Sequence, residues 1–293
     1  MPLIGGPFLP DTFSRKLENA FSSKGHLCVG IDPHEELIDE SGFTVDSQGL
    51  ERFSMKLLDE VTDVVSIVKP QVSFFERFGA VGFAVLERLL SEASQRGLLV
   101  IADAKRGDIG STMQAYTDAW LSKNAPFICD GLTLSPYLGI GSIHGAIAAA
   151  TERGKAVFVL CATSNPEGRE IQTAAKGDSS VAEMIAKQVI ELNQVSAASG
   201  SRFGNVGLVV GATVDDPHLF QTLKVQKEKL RSPILAPGFG AQGAELSEIH
   251  RIFGSLTPDV ICSVSRDILT DGIDNAKRRA SAAQESINEA LAG

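Results

Sequence analysis

The sequence is poor in the features that mark several classes of protein. Among 293 residues there are only four cysteines, one tryptophan and two tyrosines. Cys28, Cys129, Cys161 and Cys262 are widely separated, form no C-x-x-C pair, and each sits within a short apolar run. That placement suits four reduced core thiols and gives neither a disulfide framework nor a redox motif. The five histidines, His26, His34, His144, His218 and His250, form no H-E-x-x-H and no i, i+4 pair, so zinc has no support. No apolar run approaches the roughly 20 residues of a membrane helix. Met1 to Pro10 lacks a basic segment followed by an apolar one, and Leu291-Ala292-Gly293 is not an S-K-L address. The expected compartment is the cytoplasm. Positive charge is also short: 27 Lys and Arg face 36 Asp and Glu, a net charge of −9. This argues against a nucleic-acid surface, so any anion must be held in a local cationic pocket.

The remaining composition is ordinary, 43% hydrophobic and 22% charged, which rules out collagen-like and wholly disordered chains. Eight short apolar runs read as strands buried on both faces: His26–Ile31, Val64–Lys69, Leu98–Asp103, Cys129–Leu134, Ala156–Cys161, Val206–Gly211, Pro233–Ala236 and Asp259–Ser263. Stretches of helical period follow each of them: Leu50–Thr62, Gly79–Gln95, Ser111–Ser122, Ile143–Arg153, Ser180–Ala198, Asp215–Glu228, Ala244–Phe253 and Asn275–Leu291. Eight such pairs predict an α/β chain folded as a single (β/α)8 TIM barrel spanning 1–293, with no linker dividing it. A doubly wound sheet is the alternative, but no G-x-G-x-x-G follows the first strand. An extra N-terminal helix is expected at about 8–22, with Asp11 as its N-cap, and a C-terminal helix at about 275–291. The longest irregular stretch, Ala162–Ser179, reads as an active-site lid.

Catalytic groups in such barrels come from the C-terminal strand ends. Here those ends carry Asp32, Lys69, the run Asp103-Ala104-Lys105-Arg106-Gly107-Asp108, Thr163-Ser164-Asn165, Pro237 to Gly243, and Ser263 to Arg266. The last two loops suit a phosphate: Gly238, Gly240 and Gly243 free backbone N–H groups to approach it, and Arg266 supplies a planar fork. In an extended strand end, Asp103 and Lys105 project together, with Lys69 expected beside them. Charges this dense cost several kcal/mol each to bury unless paired, which makes a purely structural network an odd use of them. A Schiff-base lysine wants a lowered pKa, whereas flanking carboxylates favour the ammonium, the form that donates a proton to a carbanion. A carboxylate held ~4 Å from a substrate carboxylate repels it by about 4 kcal/mol at an effective dielectric near 20. Relief of that repulsion as CO2 departs speeds the reaction. The residues therefore point to cofactor-free, metal-free decarboxylation of a phosphorylated substrate.

At these residues the sequence resembles the orotidine 5′-monophosphate decarboxylase family, in its bacterial-type long branch. The resemblance rests on Ile101 to Thr112, Leu27 to Pro33, Lys69-Pro70-Gln71 and Pro237 to Gly243, and runs from the leader helix to Arg266. It implies that Lys105 protonates C6 of the pyrimidine, that Asp103 faces the substrate carboxylate, and that Lys69 holds Asp103 and touches the ribose. It assigns Asp32 to a ribose hydroxyl, Ser164 (with Thr163 as the substitute) to the pyrimidine amide edge, and Gln242 and Arg266 to the phosphate. Pro237, Gly238 and Gly243 belong to the same binding loop. It further implies a homodimer in which Asp108 and Thr112 reach into the neighbouring subunit's site, and in some lineages fusion with orotate phosphoribosyltransferase. Many relatives have Gly-Arg-Gly where this chain has Ser265-Arg266-Asp267, which brings an acidic residue next to the phosphate arginine. Two rivals share the fold. A Mg-dependent 3-keto-sugar-phosphate decarboxylase or synthase requires a carboxylate where Lys69 stands. A non-catalytic nucleotide-binding barrel has no use for both lysines and both aspartates.

Overall fold

The computed structural model describes residues 12–196, 201–241 and 243–292. Eight parallel strands close into a barrel: β1 Leu27–Ile31, β2 Ile67–Pro70, β3 Leu99–Arg106, β4 Gly131–Leu134, β5 Ala156–Ala162, β6 Val206–Val210, β7 Ile234–Ala236 and β8 Val260–Val264. Neighbours in sequence are neighbours in the barrel, and β1 closes it by pairing Leu27 with Cys262 and Cys28 with Ser263. Each expected strand appears within a few residues of its predicted bounds, because double-sided burial writes each one as a continuous apolar run.

Alternation along the strands sorts their side chains into two cores. Cys28, Ile67, Leu99, Ile101, Phe158, Val209, Leu235 and Ile261 point inward and fill the barrel. The intervening residues, such as Val29, Val68, Val100, Leu208 and Ile234, point outward against the helices. Phe158 takes up much of the interior: a Cβ on Gly207 would lie 2.5 Å from its ring, and one on Gly131 would lie 3.0 Å away. The leader helix, Phe13–Lys24, contributes Phe13, Leu17 and Ala20 to the same interior core, with Phe13 edge-on to Phe158 at 5.7 Å. It plugs the end of the barrel opposite the strand C-termini, leaving that mouth for chemistry.

The outer helices start where local chemistry allows. Asp46 caps Ser47–Val61 by accepting from the N–H groups of Gln48 and Gly49, both at 2.9 Å, and Leu50, Phe53, Leu57, Leu58 and Val61 form its buried stripe. Asp216 caps the helix that begins at Pro217, accepting from Leu219 N–H at 3.0 Å.

Several boundaries differ from expectation. The leader helix runs from Phe13 rather than Phe8 and is capped by Thr12; Asp11 lies outside the described residues. The C-terminal helix spans Ala276–Ala292. The single helix expected over Asp215–Glu228 is two, Pro217–Val225 and Lys227–Leu230, with the break at Gln226. Ala244–Phe253 begins with a 3-10 turn, Leu246–Glu248, before the α-helix Ile249–Phe253. Inside the supposed lid lie a helical turn, Gly168–Gln172, and a hairpin pairing Ala175–Lys176 with Ser179–Ser180. All four cysteines are buried and free, as expected; burial pushes the thiols of Cys28, Cys129 and Cys161 up to about 12. No described helix is long and apolar enough to cross a membrane.

Candidate active site

The inward-facing rows of the barrel change from apolar to charged as they reach the C-terminal mouth. In β2, Ile67 is followed two residues later by Lys69; in β3, Leu99 and Ile101 are followed by Asp103 and then Lys105. These side chains border a cavity of about 660 Å³, whose floor includes the apolar Leu160, Val209 and Leu235.

Lys69 and Asp103 are 6% and 8% exposed, and Lys69 Nζ donates to Asp103 Oδ2 at 2.9 Å. Lys105 Nζ donates to Asp103 Oδ1 at 2.6 Å, so one carboxylate lies between two ammonium groups. Burial alone would lower the pKa of Lys69, but the charges of Asp103 and Asp32 outweigh it and the net shift is upward. Burial would likewise raise that of Asp103, yet Lys69 and Lys105 hold it well below the usual carboxylate range. At neutral pH Lys69 and Asp103 are therefore both ionised.

The backbone at Lys105 is unusual. Its φ is +47°, in the left-handed region, and the register between β3 and β4 shifts between Ala102 and Arg106. A left-handed non-glycine residue costs about 1–2 kcal/mol. That conformation turns the lysine over the carboxylate two residues before it. The sequence read Asp103 and Lys105 as successive same-side positions of an extended strand; the structure brings them together through this twist as well.

The other expected residues divide into three groups. Asp32, Thr163, Ser164, Pro237, Gly238 and Arg266 line the cavity with the charged trio. Asp32 Oδ1 is buried with no hydrogen-bond partner among the described residues, an acceptor facing the cavity for a ligand donor. The Thr163 hydroxyl donates to Asn165 at 2.6 Å and accepts from Gln172 at 2.7 Å. Gly243 lies outside this cavity, and Gln242 falls outside the described residues. Asp108 and Thr112 also do not line the cavity of their own chain. Asp108 accepts from the N–H of Ile109 at 2.8 Å, and Thr112 is exposed on the first turn of the helix Gly110–Trp120.

Arg266 is exposed at the cavity and makes no ion pair with a described residue. The acidic neighbour that sequence placed beside it is engaged elsewhere: Asp267 pairs with Arg279 at 3.0 Å and its backbone carbonyl accepts from the same guanidinium. Asp267 also backs onto Gly240, where a Cβ would sit 2.8 Å from that of Asp267. This glycine, at φ +72°, is needed for both its conformation and its space.

Sequence reasoning missed several lining residues. Thr133, 1% exposed, donates to Asp103 Oδ1 at 2.9 Å, and Gln71 approaches Lys105 Nζ at 3.5 Å. Ser265 Oγ is buried without a hydrogen-bond partner among the described residues, 3.2 Å from where a Gly30 Cβ would be. Counting by twos from the inward apolar residues finds Thr133 and Ser265, since Gly131 precedes one and Ile261 and Ser263 precede the other on the same face. Among the described residues no cluster of three His, Cys, Asp or Glu could hold a metal ion.

Comparison with known proteins gives one answer. The pattern of the orotidine 5′-phosphate decarboxylase / HUMPS family matches residues 25–280. An orotidine 5′-phosphate decarboxylase of Corynebacterium glutamicum is 45% identical over 278 residues, 94% of this chain and 97% of that protein. One from Streptomyces coelicolor is 46% identical over 93% of this chain and 95% of its own length. A Streptomyces avermitilis crystal structure, provisionally assigned to the same enzyme, superposes with a TM-score of 0.88 at 41% identity, covering all of both chains. A Leishmania donovani UMP synthase matches 95% of this chain but 56% of its own, with 30% identity and a TM-score of 0.74. The chain belongs to the orotidine 5′-phosphate decarboxylase / HUMPS family.

Proposed function

We propose that the chain decarboxylates orotidine 5′-monophosphate to UMP and CO2, the closing step of de novo pyrimidine synthesis, using Lys69, Asp103 and Lys105 and no cofactor. The observation that carries this reading is the set of three charged side chains, with Asp103 bonded to both lysines at the mouth of a barrel whose cavity also holds an arginine without an ion pair among the described residues. Asp103 faces the substrate carboxylate, and their repulsion is relieved as the C6–carboxylate bond breaks. CO2 leaves, the electron pair stays on C6, and Lys105 Nζ delivers the proton that completes UMP. The lysine then regains a proton from solvent.

Binding is divided among the other residues. Lys69 holds Asp103 and touches the ribose, while Asp32 accepts from a ribose hydroxyl. Ser164 reads the pyrimidine amide edge, with Thr163, whose hydroxyl bonds Asn165 and Gln172, as the substitute. Arg266 and Gln242 grip the phosphate, with the backbone of Pro237 and Gly238 around it. Ala162–Ser179 closes over the bound nucleotide. The active form is a homodimer in which Asp108 and Thr112 complete the partner's site. Two features support this: both lie outside their own cavity, and Ile109 between them and Tyr137 and Leu138 on the loop after β4 are 61%, 78% and 52% exposed. The setting is cytoplasmic. The longer UMP synthase neighbour supports fusion or association with orotate phosphoribosyltransferase.

The Mg-dependent rival is disfavoured because Lys69 stands where its metal-binding carboxylate belongs, and an ammonium there repels a dication. Following pyrimidine absorbance with EDTA present separates the two. Conversion of OMP to UMP is expected under chelation; turnover of a 3-keto-sugar phosphate with Mg²⁺, and none of OMP, would replace this reading with the rival.

A further inference from the structure

The side chain of Thr133 is committed on both sides of the charged trio. It sits in β4, 1% exposed, facing into the barrel at the cavity. Its hydroxyl donates to Asp103 Oδ1 at 2.9 Å and accepts from the backbone N–H of Lys105, also at 2.9 Å. The hydrogen-bonding capacity of a hydroxyl permits this division, one proton given and one accepted. The second bond reaches across from β4 to the residue whose φ is +47°, within the segment where the β3–β4 register shifts. At that irregularity Lys105 N–H takes the threonine oxygen as an acceptor.

We propose that Thr133 is a positioning residue for the decarboxylation. It holds Lys105 in its left-handed conformation and fixes the rotation of the Asp103 carboxylate, so that ammonium and carboxylate meet the substrate in one geometry. The reasoning is mechanical and electrostatic. Asp103 Oδ1 receives both Lys105 Nζ and the Thr133 hydroxyl, while Oδ2 receives Lys69. Removing the hydroxyl leaves the carboxylate free to twist about its bond and frees a strained backbone to relax, which moves the proton donor off C6. A β-branched side chain suits this task because its χ1 is restricted. Thr133 does not contact the nucleotide in this account and acts through Asp103 and Lys105. The inference therefore rests on the roles proposed above for those two residues.

The test compares Thr133→Val, which keeps shape and loses the hydroxyl, with Thr133→Ser, which keeps the hydroxyl, measuring kcat, KM and UMP affinity. The valine enzyme is expected to lose at least tenfold in kcat, with UMP affinity within about threefold of the parent, and the serine enzyme to recover most of the loss. Parental kcat in the valine enzyme overturns the proposal. So does an equal loss in UMP affinity, or a serine enzyme as impaired as the valine one. Thr133→Ala, read in the same way, replaces the valine variant if that protein does not fold. Failure of the underlying reading looks different: the unsubstituted enzyme would then not convert OMP at all, or Lys105→Ala would leave turnover intact.

Discussion

Lys69 Nζ and Asp103 Oδ2 lie 2.9 Å apart with both side chains buried, so neither charge survives unpaired in the folded protein. Replacing one partner strands the other, which in buried pairs typically costs about 3–5 kcal/mol. Lys69→Met should therefore lower unfolding free energy by about 3 kcal/mol in urea, somewhat eased because Lys105 and Thr133 still reach the carboxylate. Lys69→Met with Asp103→Leu should recover part of that loss. A single variant as stable as the parent would mean the pair carries no structural load.

His26 gives the protein an acid limb above the carboxylate range. Burial lowers its pKa most strongly, partly opposed by the bond from the ring to the Val260 carbonyl, 2.8 Å long. A folded pKa below the unfolded value near 6.5 means stability is present above that value and lost as pH falls through the folded one. Asp103, also lowered, adds a loss of the same sign only below about pH 4. Melting temperature should begin to fall near pH 6.5, and His26→Gln should lack that first decline. An unchanged profile in the variant would remove His26 from the acid response.

Arg266 is expected to act on binding more than on chemistry. Its neighbour Asp267 is held by Arg279, which leaves the guanidinium available to an anion. Arg266→Ala should weaken UMP binding by about 2–3 kcal/mol, the worth of a charge-assisted pair, and should leave uridine binding nearly unchanged. Calorimetry with the two ligands reads the difference directly. Equal affinity for UMP in parent and variant would move the phosphate site elsewhere.

The parts of this account legible in sequence are those in which one residue type breaks a pattern. Continuous Val, Ile and Leu runs gave away the strands, and Lys69 and Asp103 stood out as charges ending such runs. The helical period over Asp215–Glu228 was legible, but nothing marked its interruption at Gln226, since Leu219, Phe220, Leu223 and Leu230 keep the apolar period across the break. The short helix Glu35–Glu40 buries only Ile38, too little to leave a period. Thr133 was passed over for another reason: the pleat marks it as inward-facing, but a threonine in an apolar strand is unexceptional until the register places it beside Asp103 and Lys105. Asp267 read as a hazard to phosphate binding because its partner, Arg279, is 12 residues away on the terminal helix. For Thr133 and Asp267 the deciding fact is a contact between elements, which local pattern does not encode.

The central claim is that Lys105 supplies the proton to C6 from a trio built around Asp103. Measuring OMP turnover and UMP affinity side by side for Lys105→Ala tests it most directly. The account predicts turnover lost by several orders of magnitude with UMP still bound, because the phosphate and ribose contacts lie on other residues. Near-parental turnover in that variant would contradict it.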